Sequence, residues 1–423
     1  MLVKRLKGFR DVLPEESWTW RLLEETAAKV LGLYGFEEVR LPLLEESALF
    51  RRSIGEATDI VEKEMYSFED TGGTDVTLRP EGTASAVRAY VESGLAGNAA
   101  KTKWFYRGPM FRRERPQKGR FRQFHQIGAE CFGFAQPGAD ADVIVMVRDL
   151  FDELGLAERI SLEINSLGCA SDRAEYVSSL VEFLKPKTET LCENCKRRIE
   201  RNPLRVLDCK SPGCREATAE APAIGESLCG DCRGHFDAVK SLLSARKASF
   251  TVNPRMVRGL DYYNRTTFEF LTGELGAQNA VAAGGRYDGL VESLGGPSVP
   301  ALGFALGVER IVLLLGEGSV PRAKPLAYFV YRGEEAFLAA VGLRDALKIA
   351  GIRADVDFEP RSFKAQMRSA DASGAKWALV IGEDEVLNST VTMKNLATSE
   401  QNAVKNADIA ARLLAEADGG TTK

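Results

Sequence analysis

A strand–loop–strand segment rich in arginine and aromatic side chains stands out in the first third of the sequence. Lys103–Arg113 and Gln123–Phe132 predict two β-strands, and the loop Arg115–Gly119 between them contains the proline and glycine typical of a turn. Helical spacing predicts helices over Glu15–Tyr34 and Thr83–Leu95. Because strands recur with few intervening helices, we predict an α+β fold built on an antiparallel sheet.

The same segment is strongly cationic in a chain whose formal net charge is −4. Only Glu114 opposes its nine cations, which are Lys101, Lys103, Arg107, Arg112, Arg113, Arg115, Lys118, Arg120 and Arg122. A run of charges is often just a solvated face. Here aromatic rings alternate with the cations, so the segment is expected to be half-buried and to hold its guanidinium groups toward a polyphosphate.

The chain of 423 residues is too long for one core, so two or three domains are expected. Sequence from about 170 to 250 turns helical and cysteine-rich, which predicts an insertion in a first domain of residues 1–318. Glycine and proline mark a linker at 319–325. From 326 to 423, alternating strand and helix patterns predict a small α/β domain.

Composition narrows the function classes. No apolar stretch is long enough to cross a bilayer and no secretory signal is evident, so a cytoplasmic protein is expected. His125 and His235 are the only histidines, which leaves few candidates for nucleophilic triads. We expect both to be structural, and the arginines favour chemistry that depends on charge stabilisation, such as nucleotidyl transfer.

Three segments resemble the motifs of class II aminoacyl-tRNA synthetases. Phe111–Glu114, the loop, and Arg120–Phe124 are similar to motif 2, Phe-Arg-x-Glu followed by Arg-x-x-x-Phe. Gly303–Arg310 resembles motif 3, and Gly35–Leu44, with Pro42, resembles motif 1. The resemblance implies ATP binding by Arg112, Glu114, Phe124 and Arg310. It also implies a dimer interface at motif 1.

Further segments resemble the histidyl-tRNA synthetase family within this class. They are Arg79–Thr83, which follows the strand-like Val76–Leu78, Gln126–Glu130, Arg258–Tyr263, which precedes another strand, and Ala283–Asp288, which is expected to open a helix. The resemblance spans nearly the whole chain. It implies an antiparallel catalytic domain flanked by helices, with a helical insertion and a C-terminal α/β anticodon-binding domain.

Carried over by position, the resemblance implies a histidine pocket. Its residues would be Glu81, Thr83, Gln126, Glu130, Tyr262 and Tyr263. Arg258, with Arg112 and Arg310, would be catalytic, because arginine stabilises charge and does not act as a base.

The implied reaction joins L-histidine to ATP, with Mg²⁺ on the leaving pyrophosphate, and then transfers the histidyl group to tRNA(His). Gln117, in the loop of motif 2, would meet the acceptor end of the tRNA. The protein would be a cytoplasmic homodimer.

Other readings remain open at this point. Singly, Glu81 reads as a helix cap, the two tyrosines of Arg258–Tyr263 as strand core, and Gly284–Gly285 as a turn. A non-catalytic histidine or tRNA sensor, or a regulatory paralogue of ATP phosphoribosyltransferase, would share the fold. The three arginines favour the enzyme.

Six cysteines form CxxC, Cx₄C and CxxC groups in the insertion: Cys192, Cys195, Cys209, Cys214, Cys229 and Cys232. Such spacing is typical of structural zinc, although the resemblance implies no metal here, so zinc and free thiols both stay open. Cys131 and Cys169 lack such partners in the sequence and are expected to be buried apolar side chains.

Overall fold

A computed structural model shows two compact units, Met1–Val320 and Pro321–Lys423. The structure describes residues 3–55, 58–98, 100–276, 279–316 and 324–418, and for residues 417 and 418 it describes the backbone only. Most of the linker predicted at 319–325 lies outside the described residues.

Helices and strands are numbered in chain order. The helices are α1 Pro14–Leu33, α2 Ser47–Ile54, α3 Thr83–Glu92, α4 Pro137–Glu153, α5 Ala170–Leu184, α6 Glu193–Arg201, α7 Pro212–Ala217, α8 Gly230–Ala245, α9 Leu290–Ser293, α10 Val308–Leu315, α11 Glu334–Ile349, α12 Phe363–Ser373, α13 Glu383–Asn388 and α14 Ile409–Asp418. The strands are β1 Glu37–Glu38, β2 Leu44–Glu46, β3 Tyr66–Glu69, β4 Asp75–Leu78, β5 Thr102–Phe111, β6 Gln123–Phe132, β7 Ser161–Ser166, β8 Thr251–Val252, β9 Asn264–Leu271, β10 Ala280–Arg286, β11 Ala301–Gly307, β12 Ala327–Tyr331, β13 Ala354–Val356, β14 Trp377–Ile381, β15 Thr390–Asn395 and β16 Gln401–Lys405.

An eight-stranded sheet organises the first unit, in the order β1-β5-β6-β11-β10-β9-β7-β8. The six central strands pair antiparallel, and the short edge strands β1 and β8 pair parallel to their neighbours. The predicted α+β class and the antiparallel sheet are therefore confirmed. A separate antiparallel sheet, β2-β4-β3, lies beside α2 and α3 in the chain.

Apolar side chains cover both faces of the large sheet. On one face α1, α4, α8 and α10 form a core that includes Leu23, Ile144, Leu243 and Ile311. A second core joins α3 and α9 to the helical insertion, and it contains Tyr106, Tyr287 and Cys195. The insertion therefore packs into the core of the unit, and α8 belongs to the first core as well.

Phe36–Leu44 has the sequence pattern of a strand that Pro42 interrupts, at an edge or an interface of a sheet. It divides into β1 and β2, which belong to different sheets, with Pro42 between them. Proline lacks the N–H that a continuous ladder needs. Arg79, which is buried, instead donates to the carbonyls of Leu41 and Pro42 at 3.0 and 3.3 Å.

Ala283–Asp288 was expected to open a helix, but Ala283–Arg286 is the end of the central strand β10. A Cβ at Gly284 would lie 2.3 Å from the carbonyl oxygen of Gly303, on the adjacent strand. The paired glycines thus let β9, β10 and β11 approach closely, and do not form a turn.

The second unit contains a five-stranded sheet in the order β13-β12-β14-β15-β16. β13, β12 and β14 are parallel, and β15 and β16 continue antiparallel. The sequence pattern predicts strands at Ala327–Tyr331, Arg353–Val356, Trp377–Ile381 and Val391–Asn395 and helices at Ala336–Ala350 and Phe363–Ser373, which correspond to β12 to β15, α11 and α12. It does not predict α13, β16 and α14. Within the described part of the chain, each helix is too short or too polar to span a membrane.

Candidate active site

A buried carboxylate, that of Glu130 on β6, is the centre of a hydroxyl-lined pocket. Glu130 is fully buried, and its Oε1 accepts hydrogen bonds from Thr83 Oγ1 at 2.8 Å and Tyr106 OH at 2.9 Å. The hydroxyl of Tyr287 donates to Oε2. Side chains from α3, from β5 and from the residue that follows β10 therefore converge on one acidic group.

Burial raises the pKa of Glu130 to about 8. The hydrogen bonds from Tyr287, Thr83 and Tyr106 favour the ionised form, and the nearby Glu81 carboxylate disfavours it. Desolvation prevails over the hydrogen bonds because no cationic side chain pairs with this carboxylate among the described residues. The group is poised to exchange a proton near neutral pH.

Three glycines make room for this arrangement. A Cβ on Gly303, which is paired with Glu130 across the sheet, would lie 1.8 Å from Glu130 Oε2. The ring of Tyr106 occupies the space where Cβ atoms of Gly82 and Gly128 would be, at 2.1 and 2.4 Å from it. Motif 3 therefore needs glycine at 303 because the pocket carboxylate lies over it.

Glu81 and Thr83 lie at the N-terminus of α3. The Glu81 carboxylate accepts from the backbone N–H groups of Thr83 and Ala84, both at 2.8 Å. Burial, the largest effect, raises the pKa of Glu81. Glu81 thus caps the helix, and it also adds negative charge to the wall of the pocket.

Tyr262 and Tyr263 complete the pocket on the insertion side. Their rings are 4.7 Å apart, and Tyr262 lies 5.6 Å from the ring of Tyr287. The guanidinium of Arg258 lies 5.1 Å from the centre of the Tyr263 ring and pairs with Glu269 on β9. Arg258 is therefore fixed beside the pocket, with a side chain that is 13% exposed.

A second site, a groove of about 150 Å³, lies further along the same strands. Its polar and aromatic lining is Arg112, Glu114, Arg120, Phe124, Gln126, Glu309 and Arg310. The Arg112 guanidinium lies 5.3 Å from the Phe124 ring, and its Nε donates to the Pro80 carbonyl at 2.8 Å. Glu114 is paired with Arg120 at 2.8 Å.

Helix α10 brings Arg310 to this groove. Burial, together with the Arg120 guanidinium, lowers the pKa of Arg310 to about 10. Glu309 anchors the start of α10 to β6, since its carboxylate accepts from the backbone N–H of His125 at 2.9 Å and lies 3.0 Å from His125 Nδ1. A groove in which two arginines stand this close favours a ligand with several negative charges.

The two glutamines named from the sequence lie in different places. Gln126, expected at the histidine pocket, lines the groove, and its buried Oε1 has no hydrogen-bond partner among the described residues. Gln117 is exposed at the tip of the loop, where its N–H and carbonyl pair with Arg120.

Sequence reasoning missed two pocket hydroxyls, of Tyr106 and Tyr287, and the partner of Arg258, Glu269. Tyr287 belongs to the segment Ala283–Asp288 that resembles the family, but the carboxylate that its hydroxyl contacts lies on another strand, β6. The neighbouring Arg286 has a structural role, because it is fully buried and pairs with Asp140 of α4. His235 lies 3.4 Å from the same carboxylate.

Among the described residues, two groups of four cysteine or aspartate side chains lie close enough together to hold a metal ion, and neither group includes a residue of the pocket or the groove. One is Cys192, Cys195, Cys209 and Cys214, and the other is Cys169, Asp172, Cys229 and Cys232. Cys131 is buried as expected. The interpretation of Cys169 as an isolated apolar side chain is wrong, because the fold places it beside three other ligand groups.

Comparisons with known proteins show which family this chain resembles. The sequence pattern of a family described as "Histidyl-tRNA synthetase" matches residues 8–311, and that of an "Anticodon binding domain" matches 321–416. Proteins named histidine–tRNA ligase from Trichlorobacter lovleyi and Geobacter sulfurreducens are 54% and 52% identical, over 96% and 95% of this chain and 96% of each relative. The crystal structure of apo S. aureus histidyl-tRNA synthetase superposes with a TM-score of 0.83 at 35% identity, covering 97% of this chain and 100% of that one. The chain therefore belongs to the histidyl-tRNA synthetase family.

Proposed function

We propose that this protein is a histidine–tRNA ligase, which activates L-histidine with ATP and transfers it to tRNA(His). The observation that carries the proposal is the buried Glu130 carboxylate within a ring of hydroxyl donors, at the end of a groove lined by arginines. Curated relatives above 50% identity over nearly the full chain carry the same name.

The pocket suits an imidazole because both groups exchange a proton near neutral pH. The pKa of Glu130 is about 8, and a free histidine ring has an ordinary pKa of about 6.5. In the complex the two groups would share the single proton that Glu130 carries, in a hydrogen bond between the carboxyl group and the ring. Amide side chains cannot take up that proton, so the pocket would discriminate against asparagine and glutamine.

The two substrates, histidine and ATP, would lie side by side along one strand. Glu130 pairs with Gly303 and Gln126 pairs with Gly307 in the ladder between β6 and β11. Four residues along a strand span roughly 13 Å. Histidine on Glu130 would therefore direct its own carboxylate toward the groove that, in this proposal, holds ATP.

In the groove, Arg112 would hold the α-phosphate and Phe124 would stack on adenine, with Glu114 accepting from the adenine amino group. Arg310 would meet the γ-phosphate. Glu81 and Thr83 would hold the α-amino group of histidine, and Tyr262 and Tyr263 would enclose its ring.

Arg258 would stabilise charge at the α-phosphate as the histidine carboxylate attacks. Its partner Glu269 fixes the guanidinium, and arginine stays protonated, so its effect is electrostatic. Mg²⁺ bound to the phosphates would neutralise the leaving pyrophosphate. The rest of the catalysis is positioning of two reactants on one strand pair.

For tRNA, the exposed Gln117 loop would meet the acceptor end, and the unit after the linker, residues 326–423, would bind the anticodon. That unit has a groove of about 980 Å³ with aromatic and cationic lining, including Phe337, Phe358, Phe363, Arg332 and Arg361. Exposed rings next to arginines are suited to unstacked bases and phosphates. Residues 1–318 would form the catalytic domain, with the insertion at about 170–250.

We also propose a cytoplasmic homodimer that uses the region of motif 1. Strand β1 is an exposed edge with only two residues paired to β5, and Leu43 and Leu44 are 42% and 46% exposed. Light scattering of the purified protein would test the dimer.

The regulatory paralogue and the non-catalytic sensor are not favoured. Arg112, Arg258 and Arg310 are all present. Arg112 and Arg310 line the groove, and Arg258 lies beside the pocket. The chain also carries a domain matched by the anticodon-binding pattern.

Pyrophosphate exchange with each amino acid in turn tests the proposal. Exchange should appear with histidine and ATP, and Arg258→Ala should reduce it about 10²- to 10³-fold. Arg159→Ala is a matched control, because Arg159 also pairs with a glutamate, Glu274, at 2.7 Å, but on the surface. Absence of exchange with histidine, or equal rates for the two variants, would refute the assignment.

A further inference from the structure

Three helices of the first unit begin with the same ligand arrangement. A cysteine occupies the N-cap of α5, α6 and α8, and a second ligand group follows three residues later. These pairs are Cys169 with Asp172, Cys192 with Cys195, and Cys229 with Cys232. Backbone N–H groups at a helix N-terminus favour negative charge, so each pair is placed where thiolates and carboxylates are stabilised.

The first cluster contains four thiols. The Sγ atoms of Cys192, Cys195, Cys209 and Cys214 all lie within 4.8 Å of one another. Cys192 and Cys209 have their sulfurs 3.9 Å apart, and the Cys192 N–H donates to Cys214 Sγ at 3.2 Å. A tetrahedral zinc ion with Zn–S bonds of about 2.3 Å requires sulfurs about 3.8 Å apart. The separation of the Cys192 and Cys209 sulfurs matches that spacing, and all four cysteines are free of disulfides.

The second cluster has three thiols and one carboxylate. Cys169, Asp172, Cys229 and Cys232 also have their ligand atoms within 4.8 Å of one another. Asp172 is only 3% exposed, and its oxygens accept from the N–H groups of Cys169 at 3.2 Å and Cys229 at 3.1 Å. No lysine, arginine or histidine of the described residues pairs with it. A buried carboxylate among thiols calls for a cation.

We propose that the insertion binds two Zn²⁺ ions, one at the four-cysteine cluster and one at the cluster of three cysteines and Asp172. Thiolate-rich tetrahedral sets select zinc over the harder Mg²⁺ and Ca²⁺. The Asp172 site has an exposed ligand, Cys229, and a less polarisable fourth ligand, so it should release its ion to a chelator first.

Both sites brace the loop Arg258–Tyr263 from different sides. Asn202 follows α6, the helix that begins at Cys192, and its side chain donates to the Asp261 side chain at 2.8 Å. Next to Asp172, Arg173 donates to the backbone carbonyls of Asp261 at 2.9 Å and Tyr263 at 3.2 Å. Two bound ions would therefore hold in place the loop that carries Arg258 and both pocket tyrosines. This consequence, unlike the metal sites themselves, rests on the proposed function.

Metal content of the full chain, purified without chelator, gives the direct test. The wild-type protein should contain two equivalents of zinc, and Asp172→Asn should contain one. Asp231→Asn is the matched control, because Asp231 is exposed within the Cys229–Cys232 turn and belongs to neither cluster, so two equivalents should remain. Asp172→Cys should restore the second ion.

Cobalt substitution identifies the ligands independently of activity. The charge-transfer absorption of Co²⁺ grows with the number of thiolates, so the two wild-type sites should contribute in the ratio of four to three. Asp172→Cys should raise the smaller contribution to match the larger. A wild-type protein with no metal above background and no cobalt spectrum would overturn the proposal, and one equivalent in both wild type and Asp172→Asn would overturn the second site.

The bracing is tested by kinetics. Asp172→Asn should raise the KM for histidine about five- to tenfold, as expected for one lost hydrogen bond, with the KM for ATP unchanged, and Asp172→Cys should reverse it. An unchanged KM in a variant that has lost one zinc would refute the bracing alone. Zinc-loaded protein without any histidine exchange would refute the proposed function and leave the metal sites standing.

Discussion

Replacing Glu130 with glutamine removes a titrating group from the pocket while keeping its size and shape. The amide oxygen can still accept from Thr83 and Tyr106, which donate to Oε1 at 2.8 and 2.9 Å. The amide nitrogen can donate to the oxygen of Tyr287, which contacts Oε2. What glutamine cannot do is transfer a proton to the imidazole or carry a negative charge beside it.

The loss of one charge-assisted hydrogen bond costs about 1.5–3 kcal/mol, or about 10- to 150-fold in kcat/KM for histidine. The pH dependence follows from the pKa of about 8 for Glu130 and the ordinary value of about 6.5 for the substrate ring. Between these values the complex holds the single proton that Glu130 already carries, so kcat/KM is level. Above pH 8 the complex must take up a proton, and kcat/KM should fall up to tenfold per pH unit.

Glu130→Gln should lack this alkaline limb, because an amide binds the neutral ring without a proton. The assay is histidine-dependent pyrophosphate exchange from pH 6 to 9.5, with ATP saturating. Dividing wild-type by variant values cancels the titration of the substrate's own amino group. A ratio that stays constant across this range, or a KM for ATP that rises as much as that for histidine, would refute the reasoning.

The pH dependence of the free energy of unfolding also tests the raised pKa of Glu130. Between the ordinary pKa of 4.5 and about 8, folded Glu130 holds a proton that the unfolded chain releases. The wild-type free energy of unfolding should therefore decrease as pH rises through this window, by at most about 1.4 kcal/mol per pH unit from this group. Glu130→Gln should lack that contribution, which denaturant titrations at pH 5 and pH 8 would measure.

Three further substitutions test the surroundings of the pocket. Gly303→Ala should displace the carboxylate of Glu130, because the new Cβ would lie 1.8 Å from it, and histidine-dependent exchange should be lost. Gly307→Ala is the control, since its Cβ would come no closer than 3.4 Å to the Arg310 side chain, and this variant should keep measurable exchange. Tyr287→Phe removes a hydrogen bond that lowers the pKa of Glu130, so the alkaline limb of the pH profile should move to higher pH. Asp140→Asn removes the buried one of the two carboxylates that pair with Arg286 and leaves Asp288, so thermal unfolding should show a loss of about 1–3 kcal/mol.

Local patterns were enough to predict many elements. β6 and β12 begin and end at the residues predicted, and β12 is a continuous apolar run, Ala327–Tyr331, that ends at the polar Arg332. At Phe36–Leu44 the pattern indicated the interruption at Pro42 but not the division of the segment between two different sheets. The Gly284–Gly285 pair reads locally as a turn, and only the close approach of two neighbouring strands makes it a strand interior.

The sequence by itself determined the class of the fold and the family, and it indicated the residues proposed to bind phosphate and imidazole, because these depend on residue type and order along single segments. Tertiary structure decided what depends on distance between segments. It brought Tyr106 and Tyr287 to Glu130, paired Arg258 with Glu269, and raised the pKa of Glu130 by removing it from water. It also divided the ligands of the insertion into two clusters and added Asp172, which no cysteine spacing indicates.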